Sequence, residues 1–292
     1  KKSSLRVQDG HCVMTAPGTP EPPHSVTSPI ASTRHPFPMR LKLTLAYDGR
    51  PFAGWQSQRG RPTVQDAVEA AVAAIGGPSP DGSLVRVHSS GRTDTGVHAK
   101  QYFLHTDLPH NWDPQQLVFK LNRMTPPDIS FSKAWELHSD LHARFDASSR
   151  TYRYFINRHK DPFVRTQSWY VQQDLDLSAM NHAAKHLLGV QDFSSFAKAH
   201  TDVKTNICEV FTAEWFQTAN GHYFEISANR FLRNMVRAIV GTLVEVGLGK
   251  IKASELPGII AAQNRSEAYV SVPAQGLFLW EITYEKAPQL QD

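Results

Sequence analysis

The sequence contains very little cysteine and no long apolar run. Its two cysteines, Cys12 and Cys208, form no C-x-x-C pair, which excludes a disulfide framework and a cysteine-based zinc site. No stretch approaches the roughly 18 apolar residues that a membrane span needs, and no signal-peptide pattern opens the chain. We therefore expect a cytoplasmic protein without a membrane segment.

Several ligand motifs are also missing. There is no Walker loop and no dinucleotide-binding glycine loop. His182 and His186 have the i, i+4 spacing of helical zinc ligands, but Ala-Ala-Lys separates them and no glutamate follows the first histidine as in a zinc hydrolase. We interpret this pair as a solvated helix face and predict no metal site.

The composition is that of a globular protein with a basic surface. The 292 residues are 40% hydrophobic and 20% charged, and the formal net charge is +4. The sequence pI is about 9.0. Lysine and arginine contacts to phosphates supply most of the sequence-independent affinity for nucleic acids, so a polyanionic partner is favoured.

Periodicity divides the chain into a tail and two similar halves. Residues 1–38 are rich in Pro, Ser, Thr and His without periodicity, which predicts a disordered tail. Residues 39–145 show the order β-α-β-β-α-β, and residues 146–286 repeat it with an additional short helix; residues 287–292 form a second tail. Such units carry antiparallel sheets with helices on one face, and two of them side by side would leave a cleft between their sheets.

One polar loop stands out between two predicted strands. It runs from Ser89 to Ala99, and Asp94 is its only acid. Gly91 and Gly96 bracket Asp94 and favour a tight turn. An ordinary turn remains the alternative for a G-x-T-D-x-G segment taken by itself.

Several separated motifs resemble those of one family, the TruA-type tRNA pseudouridine synthases. The loop reads Gly-Arg-Thr-Asp-Thr-Gly-Val-His-Ala and resembles the family's active-site signature. Further matches follow in the same order between about Met39 and about Tyr284: residues 47–56, 142–147, 150–154, 231–241 and 276–279. A set of motifs in a fixed order is far more specific than one of them.

The resemblance implies both a fold and a function. The fold is α+β, the pseudouridine synthase fold of two ferredoxin-like halves with mainly antiparallel sheets and a central active-site cleft. The reaction isomerises uridine to pseudouridine at positions 38 to 40 of the tRNA anticodon stem-loop. The resemblance also implies a homodimer and no cofactor.

The resemblance assigns three catalytic residues. Asp94 matches the nucleophile, and Tyr152 matches the tyrosine that stacks on the target base. Arg237 matches the arginine that pairs with the catalytic aspartate, and an adjacent cation favours the ionised carboxylate that a nucleophile requires. The periodicity predicts a helix from Arg230 to Leu248 that carries Arg230, Arg233 and Arg237 along one face.

A wider set of basic residues is predicted to contact RNA, with Arg92 also helping to displace the target base: Arg92, His98, Arg144, Arg150, Arg153, Arg230 and Arg233.

Two other functions remain open from the residues. A non-catalytic RNA-binding module of ferredoxin-like fold would use exposed aromatic residues, but Tyr102 and Phe103 lie in no recognisable RNP1 pattern. A phosphoryl-transfer or hydrolytic enzyme would need a second acid and a magnesium site near Asp94, and the loop supplies one acid.

Overall fold

The structure is a computed structural model that describes residues 39–77, 85–137, 141–198 and 204–285. The two predicted tails, residues 1–38 and 287–292, lie outside these ranges. Within the ranges, ten strands and five α-helices form a mixed fold dominated by β-sheet, which confirms the α+β class. None of the helices in these ranges combines the length and the apolar character of a membrane span.

The first half follows the predicted order of elements. The strands are β1 (Met39–Tyr47), β2 (Val87–Ser89), β3 (His98–Leu108) and β4 (Ile129–Glu136), and the helices are α1 (Val64–Gly76) and α2 (Pro114–Met124). Both helices begin after a residue whose side chain caps the first turn. The Thr63 hydroxyl accepts a hydrogen bond from the amide of Asp66 at 3.2 Å, and the Asp113 carboxylate accepts one from Gln116 at 2.8 Å.

The second half contains two short strands that the periodicity does not predict, β6 and β7. Its strands are β5 (Ser149–Asn157), β6 (Trp169–Tyr170), β7 (Gly189–Asp192), β8 (Ile207–Gln217), β9 (Gly221–Ala228) and β10 (Leu277–Thr283). Its helices are α3 (Leu177–Ala184), α4 (Met235–Gly247) and α5 (Leu256–Ala261).

The predicted helix from Arg230 to Leu248 is wrong at its beginning, because α4 starts at Met235. Asn234 has a φ of +67°, a left-handed conformation that cannot continue a helix from the preceding residues. The apolar pattern extends upstream because Leu232 is also buried, although it lies outside the helix. Arg230 and Arg233 therefore lie on an irregular segment, and only Arg237 is helical.

The strands of both halves join in one sheet rather than in the two separate sheets that the sequence suggested. The order is β4-β1-β3-β10-β5-β9-β8-β7, with β2 on β3 and β6 on β5. All pairings are antiparallel except β10 with β3 and β6 with β5. The last strand, β10, thus lies between the two halves and pairs Leu279 with Ala99 on one side and with Tyr152 on the other.

Two apolar clusters lie on either side of this junction. One contains β1, α1 and α2 residues together with Leu279 and Ile282 of β10. The other contains the apolar stripe of α4 and residues from β5, β8 and β9. The Tyr152 side chain packs against both clusters, so its position is fixed by both halves of the chain.

Candidate active site

The loop that carries Asp94 connects β2 to β3 and is anchored by buried tyrosines. The Tyr47 hydroxyl lies 2.9 Å from the Thr93 hydroxyl. Tyr102 donates its hydroxyl hydrogen to the Gly91 carbonyl oxygen, which also accepts one from the Ser89 hydroxyl at 3.0 Å. Because the residues next to Arg92 on both sides are held, the backbone that leads to Asp94 has a defined course.

A second loop, residues 48–55, supports the first from behind and requires glycine. The Trp55 amide donates to the Thr93 carbonyl oxygen at 3.3 Å. Gly54 has a φ of +96°, and a Cβ there would lie 2.4 Å from the Thr93 oxygen. A Cβ on Gly49 would lie 2.0 Å from the Val97 carbonyl oxygen. The two glycines therefore permit a close backbone contact that a side chain would block.

Asp94 is half-buried and faces residues from the second half. Its side chain is 25% exposed, and its Oδ1 lies 3.7 Å from Nε of Arg233. Tyr152 is close enough for the negative charge of Asp94 to affect its ionisation: burial raises the pKa of Tyr152 well above its usual range, and Asp94 adds to the shift. The Tyr152 ring meets Phe231 edge to face, with ring centroids 5.0 Å apart. The site thus combines a carboxylate, a neutral phenol and an arginine.

Arg237 does not pair with Asp94 in this structure, contrary to the pairing expected from the sequence. Its Nε donates to the Val272 carbonyl oxygen at 2.7 Å, and among the described residues Arg233 is the arginine that forms an ion pair with Asp94. The reason is the later start of α4. The turn at Asn234 leaves Arg233 on the segment that faces the loop, while Arg237 contacts the segment before β10.

Arg150, predicted to bind RNA, instead donates to backbone carbonyl oxygens from several segments. Nη1 donates to Ala147 at 2.8 Å and to Asn229 at 2.9 Å, and Nη2 donates to Ser90 at 3.2 Å and to Arg144 at 2.6 Å. Burial lowers the pKa of the Arg150 guanidinium. This side chain therefore joins the Asp94 loop to the connection before β5 and to the end of β9, and four of its five N–H donors are used within the protein.

Arg153 is also engaged within the protein. Its Nε donates to Glu225 at 2.6 Å, and its guanidinium lies over the rings of Trp280 and Tyr223, 4.2 Å and 5.0 Å from the centroids. Glu225 neutralises its charge, which removes most of its attraction for RNA.

His98 is 2% exposed, which leaves no surface for an RNA contact in this conformation. Its Nδ1 accepts a hydrogen bond from the Gly49 amide at 3.2 Å, and its Nε2 lies 3.2 Å from the Thr166 carbonyl oxygen. Burial lowers the pKa of His98, although nearby Asp48 opposes the shift. Nδ1 also lies 3.1 Å from Oδ1 of Asp48, so both ring nitrogens contact polar groups of neighbouring segments. His98 therefore anchors the end of the Asp94 loop.

The remaining predicted RNA contacts lie where RNA can reach them. Arg92, Arg144 and Arg233 are exposed, and Arg230 is half-buried. Arg92 and Arg144 have no ion pair among the described residues, and both line an open depression of about 250 Å³ beside the Asp94 loop. The exposed ring of Phe145 also lines it. The sequence motif at 142–147 includes Phe145, but the spacing gave no reason to single it out.

Three histidines from separate segments also meet near the loop, which no local pattern in the sequence indicates. Atoms of His88, His105 and His142 that could bind a metal ion lie within 4.8 Å of one another. Nδ1 of His105 accepts from the Ala143 amide and Nδ1 of His142 from the Arg144 amide, both at 3.1 Å. These bonds place the proton of each neutral ring on Nε2, so neither ring presents a free nitrogen lone pair to a metal ion.

Comparison with known proteins gives a consistent result. A family model described as tRNA pseudouridine synthase matches residues 44–146 and 183–285. The tRNA pseudouridine synthase A of Bacillus pumilus (strain SAFR-032) is 40% identical over 249 residues, which cover 85% of this chain and 100% of that protein. The protein of the same name from Porphyromonas gingivalis is 44% identical over 249 residues, 84% of this chain and 97% of that protein.

A solved structure, that of a Cbf5-Nop10-Gar1 complex, aligns with 70% of this chain and 45% of that chain at 12% identity. Its TM-score of 0.31 is too low to support an argument about the fold.

Proposed function

The chain belongs to the tRNA pseudouridine synthase family, whose members isomerise uridine in tRNA, and from this we propose that Asp94 is the nucleophile and that the targets are uridines 38 to 40 of the anticodon stem-loop. The observation that carries the proposal is the position of Asp94. It is a half-buried carboxylate on a loop anchored at both ends, faced by Tyr152 and Arg233.

The reaction needs groups that hold and activate the uridine. The N1–C1′ bond breaks and a C5–C1′ bond forms, while the hydrogen on C5 is replaced by one on N1, so the composition does not change. Asp94 provides the nucleophile for this rearrangement, at either C1′ or C6. No oxidant or cosubstrate enters the balance.

Tyr152 and the arginines have distinct proposed roles. The Tyr152 ring stacks on the displaced base, an interaction worth roughly 1–3 kcal/mol, and its raised pKa keeps the phenol neutral beside Asp94. Arg233 supplies the positive charge next to the carboxylate in the free protein. Arg237 joins the catalytic set if substrate binding frees it from Val272.

The target uridine must leave its stack to reach a half-buried carboxylate, as in other enzymes that act on bases. We propose that Arg92, exposed two residues before Asp94, helps to displace it. Arg144, Arg230 and Arg233 are the further phosphate contacts that their exposure supports.

The proposal includes two ferredoxin-like halves, residues 39–145 and 146–286, with the site in a cleft between them. The β-α-β-β-α-β order of the first half and the two apolar clusters support this division. A cytoplasmic homodimer that holds one tRNA anticodon arm completes the proposal.

The test is to incubate the protein with an unmodified tRNA transcript and to map pseudouridine by position. We expect pseudouridine at positions 38 to 40 with the wild-type protein and none with Asp94→Asn, which should retain tRNA binding. Asp113→Asn is a matched control, because asparagine caps α2 as well as aspartate does. Turnover by Asp94→Asn would exclude Asp94 as the nucleophile, and binding without turnover by the wild type would indicate an RNA-binding module.

A further inference from the structure

A depression beside the Asp94 loop has the chemistry of a nucleotide-binding site, and the function proposed above gives no role to the aromatic ring of Phe145 that lines it. It has a volume of about 250 Å³ and is lined by residues from four parts of the chain, among them Gln56, His88, Arg92, Arg144 and Phe145. Pockets for drug-sized ligands span about 300–1,000 Å³. The size therefore suits a single base better than a whole cofactor.

Phe145 offers the depression a flat aromatic surface. It is 74% exposed, so a base can reach the face of the ring. The His142 ring lies 4.3 Å from the Phe145 ring, centroid to centroid, and supports it from one side. An exposed aromatic face held in this way is suited to stacking with a base of any identity.

Two arginines supply positive charge at the same place. Arg144 is fixed through its backbone, because its amide donates to His142 at 3.1 Å and its carbonyl oxygen accepts from Arg150 at 2.6 Å. Its side chain remains exposed, with the guanidinium 5.7 Å from the Phe145 ring centroid. Arg92 lies between the anchored residues Gly91 and Thr93 and is also exposed. Both guanidinium groups can therefore bind phosphate without breaking an ion pair among the described residues.

The distance to Asp94 relates this depression to the reaction. Arg92 precedes Asp94 by two residues, a Cα separation of at most about 7 Å. Because Arg92 and Phe145 line the same depression, a nucleotide bound there lies close to the reacting uridine along the strand. We propose that the depression holds the base of a second RNA nucleotide, one or two positions from the reacting uridine, stacked on Phe145 with its phosphates bound by Arg92 and Arg144. This inference rests on the proposed function, because it assumes an RNA substrate.

The test measures the affinity of a labelled anticodon stem-loop RNA for protein that carries Asp94→Asn, so that turnover does not interfere. In this background, Phe145→Ala is compared with Phe145→Trp, which keeps an aromatic surface. Phe119→Ala is the matched control, because Phe119 is a 61% exposed phenylalanine of α2 whose ring also lies near an arginine, 5.6 Å from Arg123. Thermal melting checks that each variant folds.

We expect Phe145→Ala to weaken RNA binding by about 5- to 150-fold, the value of one stacked base. Phe145→Trp and Phe119→Ala should bind like the parent protein. An abasic nucleotide one or two positions from the target should weaken binding to the parent by a similar factor and have no further effect on Phe145→Ala. That non-additivity identifies the nucleotide that Phe145 contacts.

Three results would overturn the inference. Equal affinities of Phe145→Ala and Phe119→Ala would remove the stacking role. The abasic nucleotide can be placed one or two positions to either side of the target, which gives four RNAs. If the affinity losses from Phe145→Ala and from the abasic nucleotide are additive in all four, Phe145 contacts none of these nucleotides. Displacement of the RNA by free uridine monophosphate in the parent but not in Phe145→Ala, together with additivity, would assign the depression to a free nucleotide. If the wild type forms pseudouridine but Phe145→Ala and the abasic nucleotide show no coupling, this inference alone is rejected. If they show coupling but the wild type forms no pseudouridine, only the proposed reaction is rejected.

Discussion

At the residue scale, the central question is which arginine serves Asp94. Arg233 lies 3.7 Å from the carboxylate, but its side chain is 60% exposed. Arg237 is bound to the buried Val272 carbonyl group at 2.7 Å. An exposed ion pair contributes about 0–1 kcal/mol, whereas a buried acceptor left unpaired costs about 1–3 kcal/mol.

These values predict the outcome of two double-mutant cycles with Asp94→Asn. Arg233→Met should change the free energy of unfolding by less than about 1 kcal/mol, and most of that change should depend on Asp94. Arg237→Met should cost about 1–3 kcal/mol with no dependence on Asp94. Denaturant unfolding of the two double mutants and their single mutants measures both couplings. A coupling of about 3 kcal/mol between Arg237 and Asp94 would mean that a buried pair forms in solution.

Tyr152 allows its ring to be tested separately from its hydroxyl. Tyr152→Phe keeps the ring that meets Phe231 at 5.0 Å, so it should bind the RNA like the wild type. Tyr152→Leu removes the aromatic face and should weaken binding of the displaced uridine by roughly 1–3 kcal/mol. Single-turnover kinetics with saturating enzyme separate binding from chemistry. Identical kinetics for the two variants would argue against stacking.

Sequence reasoning could identify the arginines but not where their side chains point. Arg144 and Arg150 both belong to motifs that resemble those of the family, and both are positively charged. One binds four carbonyl oxygens inside the protein and the other is exposed. The difference arises because Arg150, near the start of β5, lies where carbonyl groups of several separate segments meet. Such a tertiary arrangement leaves no trace in local spacing.

At the scale of elements, prediction succeeded where local chemistry decides the structure. The caps at Thr63 and Asp113 act through neighbours a few residues away. It failed at the start of α4, where the apolar stripe includes Leu232 but Asn234 adopts a left-handed conformation. Because Leu232 is buried although it lies outside the helix, it continues the apolar pattern of α4, and periodicity alone could not locate the start of the helix. The short strands β6 and β7 were missed because two and four residues carry too little pattern.

The histidine cluster joins β2, β3 and the segment before β5, and it predicts how stability depends on pH. His105 is 2% exposed. Burial, followed by the neighbouring His88, His142 and Arg40, lowers the pKa of His105 to about 4, although Asp107 opposes the shift. In the unfolded chain a histidine titrates near 6.5. Between these values the unfolded state binds more protons, so the free energy of unfolding falls as the pH decreases.

We therefore expect stability to be fully present above about pH 6.5 and to fall by up to about 3 kcal/mol toward pH 4 through His105. Urea unfolding at intervals across this range measures the slope. His105→Gln should have a smaller slope in the same window, because it lacks this titrating group. An unchanged slope in that variant would exclude His105 as a source. Asp48 and Asp107, whose carboxyl pKa values are lowered, contribute only at more acidic pH.

At the scale of the whole molecule, the sequence predicted the order of the main elements but not how the halves are joined. The pairing of β10 with both β3 and β5 unites the strands in one sheet and sets Tyr152 across β10 from Ala99, five residues after Asp94. Each half has the expected order of main elements, so local patterns could reveal them. The junction depends on contacts between residues 127 and 180 positions apart, Leu279 with Tyr152 and Leu279 with Ala99, which a single sequence does not encode in any short pattern.

The last prediction concerns how the whole surface attracts RNA. The net charge is +4, but an arginine that is paired within the protein contributes little to the attraction between the surface and RNA phosphates. Affinity for tRNA should fall linearly on a logarithmic scale as salt rises, with one counterion term for each phosphate contact. Arg92→Gln or Arg144→Gln should each reduce that slope by about 0.7–0.9. Arg153→Gln is the matched control and should leave the slope unchanged, because Glu225 already pairs with Arg153 at 2.6 Å. Filter binding across a range of salt concentrations gives the slopes of the wild type and of the three variants. A reduction for Arg153→Gln equal to that for Arg92→Gln would mean that Arg153 leaves Glu225 to bind phosphate, and the distinction between internal and RNA-facing arginines would fail.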